Sequence, residues 1–184
     1  MDPSPSNWNG PAVHAALAAR AAAGAPDGFR GREGHLGDVL RPALGEPEVR
    51  AFEQRHGVRL PPSYRAFLIE VGDGGAGPGF GVLGLEQLPE DEEEALYGER
   101  VDCLRPGFLA APFPYRAAVP RPPRETLCPP GALVITDYGG GDYARLVVNG
   151  PCAGQVWHDD QVWAGLTPGP DFHTWYTRWL DLLP

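Results

Sequence analysis

The strongest periodic signal lies at residues 171–183. Phe172, Trp175, Tyr176, Trp179, Leu180 and Leu183 recur at i, i+3, i+4, i+7, i+8 and i+11, the apolar stripe of one amphipathic helix. Asp171, after Pro168-Gly169-Pro170, is a suitable N-cap. A second stripe, Tyr64, Phe67, Leu68 and Val71, follows Leu60-Pro61-Pro62-Ser63 and ends at Gly72. Just upstream, Val49, Phe52 and His56 share a face; Glu46-Pro47-Glu48 supplies a first turn and Gly57 a stop. Ala12–Ala23 is helical by propensity, but Val13 and Leu17 are its only large apolar residues, which predicts peripheral packing. Leu36–Leu44 is expected to form another short helix.

The period then changes. Ala132–Thr136, Tyr143–Val148 and Gln155–His158 are short runs rich in β-branched and aromatic residues, and glycine-containing turns separate them. Asp137-Tyr138-Gly139-Gly140-Gly141-Asp142 joins the first two, and Asn149-Gly150-Pro151 opens the second turn. Connections this short exclude a parallel crossover, so the runs form an antiparallel meander. Phe80–Leu85 is expected as a further strand. Leu88–Tyr97, with the run Glu90-Asp91-Glu92-Glu93-Glu94, reads as a solvated helix or loop. Residues 104–131 hold eight prolines and read as an extended, partly polyproline connection. Residues 1–10 read as an arm anchored by Trp8, and 24–36 as a glycine-rich loop. The expected fold class is α+β, helices packed on a small, mainly antiparallel β-sheet in a single domain. Residues 1–45 form an arm with peripheral helices, and 46–184 form the main unit.

Composition narrows the function. The chain has 184 residues, 15 basic and 24 acidic, for a net charge of −9, and every basic residue is Arg. That balance argues against a nucleic-acid surface, which needs concentrated positive charge; it permits a basic protein partner, while simple solubility accounts for the charge by itself. No apolar run approaches the ~20 residues of a membrane span, and Met1-Asp2-Pro3-Ser4 has no basic start of a signal peptide. Cys103, Cys128 and Cys152 are widely spaced and lack a CxxC. They fit a reducing cytoplasm as reduced, buried or inert thiols.

Candidate chemistry is sparse. Gly79-Phe80-Gly81-Val82-Leu83-Gly84 spells G-x-G-x-x-G, but a Gly/Pro loop precedes it and Pro89 with five acidic residues follows. A dinucleotide site needs a strand before the motif and a helix after it, so no cofactor is expected. His158-Asp159-Asp160 offers metal-ligand types, yet neighbours on a strand point to opposite faces, so no metal site is expected. Ser occurs only at positions 4, 6 and 63, none in a nucleophile elbow. His14, His35, His56 and His173 read as helix or loop surface. Cysteine and histidine supply the residue types for Cys–His catalysis without a local signature, and the acidic residues that paired-carboxylate chemistry would need cluster in turns and in one run, so an enzyme is open but unsupported.

Two blocks resemble the SUKH superfamily, which includes fungal cell-wall assembly regulators and many bacterial immunity proteins. Glu53–Gly75, EQRHGVRLPPSYRAFLIEVGDGG, is similar to the family pattern of a Glu-bearing helix, a Gly, Leu-Pro, an aromatic, Phe-Leu and a closing Gly-Gly. Ala132–Trp157 carries a Gly-Gly-Gly-Asp-Tyr turn, a hydrophobic strand, Gly154 and Val156. The Phe172–Leu183 helix is similar to the family's closing helix. The resemblance implies an α+β fold and a non-catalytic protein-binding role. In bacteria that role is often the neutralisation of a toxin, commonly a nuclease or deaminase, by direct binding. A regulatory or scaffold module of the cell-wall type is the second reading, and a small metal-dependent enzyme the third.

For a protein partner, the meander turns and their neighbours are the expected contacts: Asp137, Tyr138, Asp142, Trp157, Asp159, Asp160 and Trp163. The aspartates would supply charge and the aromatic rings contact area. Against this stands the simpler role of aspartate as turn former and of Trp157 as core.

Overall fold

The computed structural model describes residues 8–23, 39–87, 100–120 and 128–182, with Arg20 and Ala23 described in backbone only. The segment 88–97 with its acidic run, the whole of the loop 24–36 and Leu183 lie outside these residues. The helices lying wholly within the described residues include α1 (Gly10–Ala23), α2 (Glu46–His56), α3 (Pro62–Glu70) and α4 (Phe172–Asp181). Four strands, β1 (Ala132–Gly139), β2 (Asp142–Val147), β3 (Gln155–Asp160) and β4 (Gly165–Asp171), form one antiparallel sheet in the order β1-β2-β3-β4. The chain is thus a single α+β domain with a meander at its centre.

The helix ends follow local chemistry. In α2, the Glu48 carboxylate accepts from the Gly45 N–H at 2.6 Å, and Gly57 closes the helix at φ 66°. Asp171 caps α4 by accepting from the Thr174 N–H at 3.1 Å. The α2–α3 turn is tied by Glu53, which is buried. Its Oε1 accepts from the Leu60 N–H at 2.9 Å and from Arg65 Nε at 3.2 Å. Arg65 also reaches Glu46, and its guanidinium with that of Arg50 pulls the Glu46 carboxyl down to about 2. The Glu shared with the family pattern therefore joins two helices.

The stripes pack as their spacing requires. Val49, Phe52, Tyr64, Phe67, Leu68, Phe172 and Tyr176 are buried in one cluster with Leu133, Leu146 and Val156 of the sheet. Phe172 meets Tyr64 and Phe67 edge-on at 4.8 and 5.2 Å, and the Tyr176 hydroxyl donates to the Ala76 carbonyl at 2.9 Å. Trp8 inserts into the same cluster, 5.2 Å from Phe67, and donates from its indole to the Ser63 carbonyl at 2.7 Å. Val13 and Leu17 of α1 are buried there as well. Trp175, Trp179 and Leu180 are only half-buried.

Several expectations fail. Residues 39–44 are not helical; Leu40 makes a bridge to Gly75 instead. Phe80–Leu85 is not a strand. Only Val82 bridges, to Gly75, because Gly79 and Gly81 sit at positive φ and break the alternation. The segment lies along the edge of β1, with the Phe80 and Leu83 N–H groups donating to the Asp137 and Ile135 carbonyls, each at 2.8 Å. His56 is buried rather than on the surface, its ring tilted against Phe52 at 4.3 Å. The sequence also hid β4. Its Pro168 and Pro170 read as loop, but an edge strand tolerates residues without an N–H. Leu166 of β4 exchanges two hydrogen bonds with Val119, 2.8 and 2.9 Å, so a residue of the proline-rich connection closes that edge.

That connection covers the other side of the sheet. Phe113, with Tyr115 and Val119 beside it, packs on Ala132, Val147, Trp157 and Leu166. The Asn149 side chain donates to the Ala110 carbonyl at 2.6 Å, which fixes the strap at one end. Residues 100–103 are helical, and Arg100 there is fully buried. Its guanidinium donates to the carbonyls of Val134 and Gly84, both at 2.6 Å, and Leu85 at 2.8 Å. One side chain thus satisfies backbone acceptors of β1 and of the loop beside it.

Candidate protein-binding surface at the hairpin end of the sheet

Two turns lie side by side at one end of the sheet. Gly139 pairs with Asp142, leaving Gly140 and Gly141 as a two-residue loop with φ of 68° and 87°. Positive φ at both central positions is what such a hairpin needs to match the strand twist. Asp160 pairs with Gly165 across the neighbouring turn 161–164. The Gln161 N–H donates to the Gly141 carbonyl at 3.0 Å and locks the two turns together.

Asp160 builds its own turn. Its carboxylate accepts from the N–H groups of Val162, Trp163 and Ala164 at 2.9, 2.8 and 3.1 Å. Those N–H bonds, with Trp163 the largest contributor, hold its carboxyl below the ordinary value. The turn presents Trp163, 72% exposed, and Val162, 49% exposed, as the apolar tip of this end. Asp137 is also a turn former, accepting from the Gly139 N–H at 2.7 Å.

Strand pairing sorts the rest. Asp142, Ala144 and Leu146 alternate on the helix-facing side with their partners Asp160, His158 and Val156. Beyond the helices this side is open: His158 is exposed, its Nε2 lies 2.6 Å from Asp142 Oδ1, and the Tyr138 ring is 6.0 Å away. Tyr138 is half-buried, and burial pushes its hydroxyl up to about 12, with Trp175 of α4 beside it. His158 and Trp175 belong to this surface although sequence reasoning did not place them there. The register Ala144↔His158 would have found the first.

The opposite side takes Trp157 and Asp159 out of the surface. Both face the proline-rich strap. Trp157 is fully buried, edge-on to Phe113 at 4.9 Å. Asp159 is 1% exposed, and its Oδ2 accepts from the equally buried Arg145 Nε at 2.5 Å. Of the seven expected contacts, the structure brings Asp137, Tyr138, Asp142, Asp160 and Trp163 to one end of the sheet and keeps Trp157 and Asp159 inside. His158 and Asp159 point to opposite sides, as the alternation requires. Among the described residues, no three His, Cys, Asp or Glu side chains gather as metal ligands. No helix among them is long and apolar enough to cross a membrane.

Fold and surface together define an α+β domain with helices on one side of a four-stranded meander and an irregular strap on the other. The profile of the SMI1 / KNR4 family (SUKH-1) matches residues 44–179, and the chain belongs to that family. The match takes in α2, α3, the whole sheet and most of α4. No curated protein and no solved structure matches the chain significantly.

Proposed function

We propose that the chain is a non-catalytic protein-binding module that docks its partner at the hairpin end of the sheet. The observation that carries this reading is Trp163, largely exposed on a turn whose backbone the Asp160 carboxylate holds in place. A rigid exposed aromatic loses little conformational freedom on binding and is a frequent interface anchor. Asp160 stays ionised beside it, Asp142 and Asp137 lie on the adjoining turn, and the whole chain carries −9. Such a surface suits a basic partner. Family membership supports protein binding in general. The finer reading is an immunity protein in the cytoplasm that occupies the basic substrate groove of a nuclease or deaminase toxin.

The direct test is a pull-down of the full chain against the products of neighbouring genes, followed by titration of any partner. A toxin-like partner whose activity is blocked on binding supports the reading. A partner unrelated to toxins, with a fitness effect in the absence of toxin, replaces it by a regulatory or scaffold role. Trp163→Ala should weaken the complex by about 30-fold or more, as expected for a loss of ~2 kcal/mol at an anchor, and shift stability by less than ~0.5 kcal/mol. An unchanged affinity would move the interface elsewhere.

A further inference from the structure

Cys103 and Cys128 look unrelated in sequence, being 25 positions apart, yet their Sγ atoms lie 3.7 Å from each other. Cys103, beside buried Arg100, is fully buried; Cys128, at the far end of the strap, is half-buried. The Arg145 guanidinium reaches Cys128 Sγ at 3.7 Å from its Nη1. The third cysteine is set apart: Cys152 packs under the strap and contacts the Tyr115 carbonyl at 3.6 Å.

We propose that Cys103 and Cys128 are a reactive dithiol that small-molecule disulfides convert to an intramolecular disulfide. Three features favour the exchange. The sulfurs are in contact at 3.7 Å, and a disulfide needs them at about 2.05 Å. The Arg145 guanidinium places a hydrogen-bond donor on the Cys128 sulfur. Cys103 is drawn down to about 7, chiefly by its hydrogen bond with Cys128 and further by the Arg145 and Arg100 charges, against the opposing effect of burial.

Exposure sets the order of events. The Cys128 thiolate attacks one sulfur of the reagent disulfide, forms a mixed disulfide and expels the first thiolate. The Cys103 thiolate then attacks Cys128 Sγ, forms the protein disulfide and expels the second. The two protein thiols lose two electrons and two protons in all, and both go to the reagent, which leaves as two thiols. The bond would cross-link the ends of the strap and hold it over the sheet face that carries Trp157 and the Arg145–Asp159 pair.

The test treats the native full chain with oxidised glutathione and then alkylates it for mass spectrometry. The expected product has lost two hydrogens, carries alkyl on Cys152 alone and yields a Cys103–Cys128 linked peptide. Closing a loop of this length should raise the Tm by about 5–10 °C, and dithiothreitol should reverse the gain. In Cys103→Ser, which lacks the resolving thiol, glutathione should stay on Cys128. Persistent glutathione on Cys128 of the unsubstituted chain, a linkage through Cys152, or retention of all three thiols would each overturn the proposal.

Discussion

The two faces of the sheet are closed by different means. On one, α2, α3, α4 and Trp8 supply interlocking rings: Tyr64, Phe67, Phe172 and Tyr176 bury against Leu133, Leu146 and Val156. On the other, a strap of turns supplies Phe113 and a few neighbours, and the sheet contributes the buried Arg145–Asp159 pair. Helices bring regular apolar stripes and satisfy their own backbone, so their face needs little polar chemistry. The described part of the strap runs through turns and is fastened at separate points, by Asn149 to Ala110, by Val119 to Leu166 and by Arg100 just before its start. A sheet face can thus be buried under turns rather than helices, provided scattered backbone pairs such as Val119–Leu166 and side chains such as Asn149 and Arg100 tie the cover down.

Three substitutions probe the two faces. The largest effect is expected from Arg145→Met, which leaves the Asp159 carboxylate buried without its guanidinium. Breaking one member of a buried pair costs about 3–5 kcal/mol, whereas Arg145→Met with Asp159→Leu should recover most of that loss. Urea unfolding of the two variants decides it; a single substitution costing under ~1 kcal/mol would show that the strap face does not depend on the pair. Next is Tyr176→Phe, which removes the hydrogen bond to the Ala76 carbonyl while keeping the ring. A loss of about 1–2 kcal/mol is expected, small because the ring contacts remain. No loss at all would make the helix face purely apolar in its energetics.

The smallest effect is a pH dependence at His56. Burial, then the nearby Arg55 charge, lowers its pKa in the fold, with Glu86 opposing. The folded chain therefore takes up a proton less readily than the unfolded one. Stability from this group is complete above the ordinary histidine value of 6.5 and is lost as pH falls from there towards the folded value. Thermal unfolding between pH 7.5 and 5 should fall more steeply for the unsubstituted chain than for His56→Gln. Parallel curves would remove His56 as a contributor.

The same contrast explains what was legible in the sequence. The helix face was: the stripes at 64–71 and 172–180 could be seen because a helix repeats its contacts at fixed spacing. The strands β1, β2 and β3 were too, since their runs alternate between glycine turns. The strap face was not. Arg145 and Asp159 are 14 positions apart and become partners only through register. Nothing in the sequence around Arg100 announces the three carbonyls that converge on it. Trp157 read as both anchor and core, and periodicity alone cannot say which side of a strand is covered when the cover is irregular. At the candidate surface, Asp160 and Trp163 were chosen for charge and contact area, while His158 and Trp175 required the pairing of β2 with β3 and the position of α4.

One feature of the helix face bears on how the chain is made. The Tyr176 hydroxyl finds its acceptor 100 positions earlier, at Ala76. Tyr64 and Phe67 thus leave the ribosome long before the helix that covers them exists. At roughly 5–20 residues per second, that interval is on the order of 5–20 s, during which a sticky aromatic stripe faces the cell's interior uncovered. The nascent chain is then an expected client for holding chaperones, and early truncations should aggregate rather than fold in part.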